Sequence, residues 1–94
     1  MKKLYIDNQV GIFLGRIHGN LPHDHLATQI SIGLDVPVRI NSSGRDFSHG
    51  GLVIRPNVTH SILSQEIQIT FLINPSTFFN SQVLQIDSQS VFPL

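Results

Sequence analysis

Five histidines, His18, His23, His25, His49 and His60, are the residues whose type and spacing could carry chemistry in this 94-residue chain. His23 and His25 are two apart, so on an extended backbone both point to one side, about 6.6 Å apart along the strand. Gln29 shares their parity. On a straight strand it lies about 13 Å beyond His25, too far to share an ion with it. Either the chain bends between them, or these residues line one pocket without sharing a ligand. His60 follows a turn, Arg55-Pro56-Asn57-Val58-Thr59, in which Pro56 presets the backbone and Asn57 tolerates the left-handed conformation. A neighbouring strand could then return His60 to the first pair. Three imidazoles would make a credible ligand set for zinc, iron, copper or nickel. The plain alternative is a group of polar side chains bonded to one another or to water. His18 and His49 sit beside Gly19 and Gly50 and are expected in exposed loops.

The elements that must position these residues are strands. Turn-forming clusters recur at short intervals (Asp7-Asn8, Gly19-Asn20, Asp35 to Pro37, Asn41 to Gly44, Ser48 to Gly51, Pro56-Asn57, Asn74-Pro75), with Ile-, Val-, Leu- and Phe-rich runs between them. Such punctuation predicts an all-β sandwich or barrel. From 26 to 34 the even positions are Leu26, Thr28, Ile30, Ile32 and Leu34, and the odd ones Ala27, Gln29, Ser31 and Gly33. That alternation of period two predicts a strand. Ile67, Ile69, Phe71 and Ile73 form one face of a second strand, expected to be core, with Gln68, Thr70 and Leu72 on the other. Further strands are expected over 11–17, 36–40, 52–54 and 61–63. One helix is expected over about 75–84, with Asn74 as its N-cap and Pro75 at its first position. From Gln85 to Leu94 the chain reads as polar, without a closing element, as if cut from a longer protein.

Composition narrows the function classes. Six Lys and Arg balance six Asp and Glu. A domain that grips phosphates carries a basic surplus, so this chain alone is not expected to bind nucleic acid. With no cysteine, a disulfide framework, a Cys zinc site and a thiol nucleophile are excluded. Asp7 and Asn8 interrupt the only apolar run near the N-terminus, so neither a signal peptide nor a membrane span is expected and the cytoplasm is the default. There is no Gly-rich phosphate loop and no Gly-x-Ser-x-Gly elbow. Arg16, Arg39, Arg45 and Arg55 are expected to be solvated turn residues, although one facing inward could hold an anionic effector.

Two stretches carry a family resemblance. Pro22-His23-Asp24-His25-Leu26-Ala27-Thr28-Gln29 and Gly51-Leu52-Val53-Ile54-Arg55-Pro56-Asn57-Val58-Thr59-His60 resemble the two motifs of cupins, the first of the form His-x-His-x-x-x-Glu and the second ending in Pro, a turn and His. The resemblance implies a double-stranded β-helix, or jelly-roll barrel, lined by both motifs, with a short C-terminal helix. It implies a divalent metal (Zn, Fe, Mn or Ni) on His23, His25, Gln29 and His60. Here Gln29 replaces the family's carboxylate, which removes one compensating charge and predicts weaker metal binding. The same four residues stand equally as a metal-free ligand pocket.

Taken with Phe71-Leu72-Ile73-Asn74-Pro75-Ser76, the pattern is similar to the N-terminal effector-binding domain of AraC-type transcriptional regulators. That resemblance implies a domain over 1–94 that senses a small-molecule effector and forms a homodimer, with Phe78 and Phe79 near the dimer surface. DNA would be bound by a separate helix-turn-helix domain. The alternative is a stand-alone metal-binding cupin, an isomerase or oxygenase, although a non-enzymatic role fits better.

Overall fold

In a computed structural model, residues 3–16, 26–64 and 66–94 are described. They form nine strands and one helix: β1 (Lys3–Ile6), β2 (Val10–Gly15), β3 (Thr28–Gly33), β4 (Val38–Ser42), β5 (Arg45–His49), β6 (Gly51–Ile54), β7 (Ser61–Ile62), β8 (Gln68–Ile73), α1 (Phe78–Leu84) and β9 (Val91–Pro93). The strands make a six-stranded sheet, ordered β1-β2-β8-β3-β6-β9, and a three-stranded sheet, ordered β5-β4-β7. Every pairing is antiparallel. The fold is therefore all-β with one short helix.

Local chemistry sets the turns. Between β4 and β5, Ser43 (φ 53°) and Gly44 (φ 78°) are both left-handed, as a two-residue hairpin that pairs Ser42 with Arg45 requires. Asn57 adopts φ 62°, the conformation its place after Pro56 predicts. Asp7 closes the β1–β2 turn: its Oδ1 accepts from the backbone N–H of Gln9 and Val10 at 2.8 and 3.0 Å.

The two sheets pack face to face. Leu52 and Ile54 of β6 and Val91 of β9 join Val38 and Ile40 of β4 and Ile62 of β7 in one buried cluster. Burying each such side chain stabilises the fold by about 1.5–3 kcal/mol. On the opposite face of the six-stranded sheet, Ile30, Val53, Ile73 and Phe92 are buried with Val83 of α1. This sheet thus has two covered faces, which changes the reading of β8. Its polar residues Gln68 and Thr70 are buried, whereas Ile67, Ile69 and Phe71, expected to be core, are only half-buried, and Ile73 alone of that row is fully enclosed. Ser31 pairs with both Thr70 and Leu52, so the polar row lies on the face turned toward the second sheet.

Three further expectations are corrected. The tail does contain a closing element: β9 pairs with β6 and buries Phe92 completely. β1 and β5 also form; Arg45-Asp46-Phe47-Ser48-His49 is too polar to read as a strand, yet it pairs along the length of β4. The helix starts at Phe78, with Thr77 as N-cap accepting from the Asn80 N–H at 3.1 Å. Asn74 instead turns the chain before the helix, its Oδ1 accepting from the Ser76 N–H and hydroxyl.

Candidate functional site

β3 carries Gln29, and the turn through Pro56 and Asn57 delivers His60 to the start of β7. These elements belong to different sheets, yet the two side chains meet: His60 Nε2 lies 3.2 Å from Gln29 Oε1, and both residues are buried. The turn is pinned from two sides. The Ser42 hydroxyl donates to the Thr59 carbonyl at 2.8 Å, and Val58 packs against the inter-sheet cluster. His23 and His25 lie outside the described residues, as does His18. The structure therefore brings together two of the four residues singled out from sequence.

The hydrogen bonds define the proton arrangement. His60 Nδ1 is 2.8 Å from the Val58 carbonyl, which can only accept, so Nδ1 carries a proton. Gln29 Nε2 is 2.9 Å from the Ser31 hydroxyl. Two states satisfy this row. In one, an imidazolium donates to Val58 and to Gln29 Oε1, while the Gln29 amide donates to Ser31. In the other, the imidazole is neutral, the amide is turned over to donate to Nε2, and Ser31 donates to the amide oxygen. Either side of the contact between His60 Nε2 and the Gln29 amide can therefore act as the donor.

The pair also fits the metal that the motifs imply. A backbone carbonyl on Nδ1–H holds the ring in the tautomer that frees Nε2 for a metal. Ligand bonds of about 2.0–2.2 Å place neighbouring donor atoms roughly 3.0–3.5 Å apart. The Nε2 to Oε1 separation falls in that range. Among the described residues, no group of three or more His, Cys, Asp or Glu gathers at one point, so further ligands would have to come from His23 and His25.

Beyond this pair, the interior holds polar atoms that sequence reasoning missed. Gln68 Nε2 and Oε1 and Thr70 Oγ1 are buried with no hydrogen-bond partner among the described residues. Their signal was present: they share strand parity with the row opposite Ser31 and Gln29. What hid it was the assumption that polar means outward. No Asp, Glu, Lys or Arg is buried among the described residues.

Arg55 is not a solvated turn residue. Its guanidinium donates to the carbonyls of Leu84, Asp87 and Gln89, so it closes the C-terminal end of α1 where the helix leaves carbonyls unpaired. Arg16, Arg39 and Arg45 are exposed, as expected, but Arg39 lies in β4 and Arg45 opens β5 rather than occupying turns. His49 is exposed as well, but it ends β5 rather than lying in a loop. Asn80 ties α1 to the sheet: its side chain accepts from the Thr28 hydroxyl and donates to the Pro75 carbonyl at 3.2 Å.

On the outer face of the six-stranded sheet, beside α1, an open cleft of about 710 Å³ is walled by Ile12, Ile32, Phe71, Phe79, Ile86 and Leu94 among others. Phe78 and Phe79 are exposed, 78% and 61% respectively, so neither is packed into the core. Among the described residues, no helix is long and apolar enough to cross a membrane.

No family model and no curated protein matches the chain. Solved structures do. Protein NMB1881 from Neisseria meningitidis matches with a TM-score of 0.64 at 11% identity, over 79% of this chain and 84% of that one. A conserved protein of unknown function from Streptococcus pyogenes, SPY1581, matches with a TM-score of 0.65 at 10% identity, over 82% of this chain and 75% of that one. At such identities the likeness is one of fold.

Proposed function

We propose that this chain is the effector-binding domain of an AraC-type transcriptional regulator, a cupin-like jelly roll that takes a small molecule beside Gln29 and His60. The observation that carries the reading is the Gln29–His60 contact: residues from the two cupin-like motifs, on different sheets, meet in the interior. The strand orders β2-β8-β3-β6 and β5-β4-β7 support the barrel, because two Greek keys arrange a jelly roll in that sequence. With no buried Asp, Glu, Lys or Arg among the described residues, recognition rests on neutral hydrogen bonds, which favours an uncharged polar effector. The effector acts by binding one arrangement of the barrel and α1 better than another, and a separate helix-turn-helix domain reads DNA in the cytoplasm.

Thermal-shift screening of sugars, carboxylates and aromatic metabolites tests this reading. A compound at about a hundred times its Kd adds about 2.7 kcal/mol, a rise of roughly 10–20 °C for a domain of this size. The rise should vanish in Gln29→Leu. If no compound raises the melting temperature, or the variant responds like the parent, effector binding at this site is refuted.

A second reading, a stand-alone metal-binding cupin acting as an isomerase or oxygenase, draws on the donor spacing of His60 and Gln29 and on the Val58 carbonyl behind the ring. Bound metal would supply a Lewis acid or an oxygen-binding centre. Elemental analysis after loading with zinc, iron, manganese or nickel separates the two. One ion per chain, lost in His60→Ala, supports the enzyme; no retained metal removes it.

A further inference from the structure

The outer face of the six-stranded sheet is apolar where an antiparallel sheet facing water is ordinarily polar. Along it, beside α1, runs the cleft of about 710 Å³, within the size range of small-ligand sites. Its depth is graded. Ile30, Ile73 and Val83 at its floor are 6%, 2% and 6% exposed, whereas Phe79, Ile86 and Leu94 at its rim are each 61% exposed. The cleft is thus a slot between helix and sheet, with a floor that a flat protein surface does not reach. We propose that it binds a single-chain lipid with an uncharged head, such as a fatty alcohol or a monoacylglycerol.

Length and charge favour that occupant. The slot runs from Val10 of β2 to Leu94, whose N–H donates to the Gly51 carbonyl of β6. β2, β8, β3 and β6 lie side by side in that order, so the span is three strand spacings, about 14 Å. An extended chain of about ten to twelve carbons covers that distance. No charged residue lines the slot, so a charged head would lose water without gaining a counter-ion. An anionic head is further opposed at the Val10 end, where the Asp7 carboxylate accepts from the Gln9 and Val10 N–H groups. What the rim offers is the exposed side chains of Gln9 and Gln82, whose amides suit a hydroxyl or an ester. This site is separate from the one proposed for the effector. Ile30, on its floor, and Gln29 are consecutive on β3 and so face opposite sides of the sheet.

NMR titration with 1-octanol, 1-nonanol and 1-decanol, each below its solubility limit, tests the proposal. Shifts should gather on Ile12, Ile32, Phe71 and Ile86, and Kd should fall about three- to four-fold per added methylene. Decanoate, ionised at about pH 8, should bind roughly ten-fold more weakly than 1-decanol or worse. Ile12→Gln in the wall and Phe79→Ser at the rim should each weaken 1-decanol by about ten-fold, the loss of roughly two methylene contacts, with unchanged circular dichroism spectra. Leu4→Ser removes a similarly exposed apolar side chain outside the slot and should leave Kd as in the parent. Absence of saturable 1-decanol binding overturns the proposal, whether the parent is a monomer or a dimer that covers the slot. So does a Kd indifferent to chain length, or an equal affinity for decanoate. Shifts confined to the surroundings of Gln29 and His60 overturn it too, as does undiminished binding in both slot variants. Effector binding beside Gln29 and His60 stands or falls separately, by its own ligands and its own variant.

Discussion

His60, just before β7, has its Nε2 3.2 Å from Oε1 of Gln29, a residue 31 positions away in the sequence on β3 of the opposite sheet. The contact closes a row that runs from the Val58 carbonyl through the imidazole and the amide to the Ser31 hydroxyl. A carboxylate at position 29 would be the stronger partner for both an imidazolium and a dication, and an amide is the weaker choice for each.

Gln29→Glu therefore restores the charge that the cupin pattern places there. The variant is expected to bind zinc or manganese at least ten-fold more tightly than the parent, as read by titration calorimetry. In the absence of metal, the new carboxylate is expected to favour the imidazolium, so that the His60 ring titrates at higher pH in the variant than in the parent. Equal metal affinity in the two proteins would show that position 29 does not contribute a ligand.

Gln68 and Thr70 allow a prediction of opposite sign. Each holds a buried polar atom without a partner among the described residues, and Gln68 holds two. Replacing such a group by an apolar one of the same shape removes a desolvation cost of about 1–3 kcal/mol. Gln68→Met and Thr70→Val should therefore raise the melting temperature, by about 4–8 °C per kcal/mol for a domain of this size. A lower melting temperature in either variant would mean that its polar atoms are satisfied in solution by ordered water.

These residues also show where sequence reasoning ends. Alternation in β3 and β8 was legible because a strand keeps its period whatever covers it. Which face points inward was not legible, because that depends on the second sheet and on α1. Isoleucine at 69 and glutamine at 68 exchange their expected roles once both faces are covered. The pairing of Gln29 with His60 could be anticipated from the two motifs. The role of Arg55 could not, since its three carbonyl partners lie 29 to 34 residues away, two of them, Asp87 and Gln89, in a segment that reads as a polar tail. β9 was hidden for the same reason: Val91 and Phe92 are two apolar residues among polar ones, and only the free edge of β6 makes them a strand.

Arg55 should be a point of failure for α1. Its guanidinium fork reaches the Leu84 carbonyl at 2.7 Å and the Gln89 carbonyl at 2.9 Å, and it also bonds the Asp87 carbonyl. Hydrogen bonds to a charged group contribute about 1.5–3 kcal/mol each, less here because the side chain is only half-buried. Arg55→Met should lower the urea midpoint and speed amide exchange from Val83 to Ile86. Arg55→Lys should recover little of the loss, since an ammonium cannot spread over three carbonyls in the fork geometry. Full rescue by lysine would show that charge, not geometry, holds the helix end.

The β1–β2 turn supplies the pH dependence. Backbone N–H groups of Gln9 and Val10, and then the Tyr5 hydroxyl, hold the Asp7 carboxyl below its ordinary 3.8. The same contact, together with the negative charge of Asp7, pushes the Tyr5 phenol above its ordinary 10.0. A lowered carboxyl adds stability that is present above 3.8 and is lost as pH falls through its folded value. A raised phenol adds stability that is present below 10.0 and is lost as pH rises through its folded value. Both contributions are therefore complete between about pH 5 and 9, within roughly one unit of those two limits. Urea midpoints of the parent and Asp7→Ala should differ by a constant amount across that window, and the gap should close below pH 3.8. A gap that persists undiminished at about pH 2.5, well below the ordinary carboxyl range, would place the contribution of Asp7 in its shape as a turn former rather than in its charge.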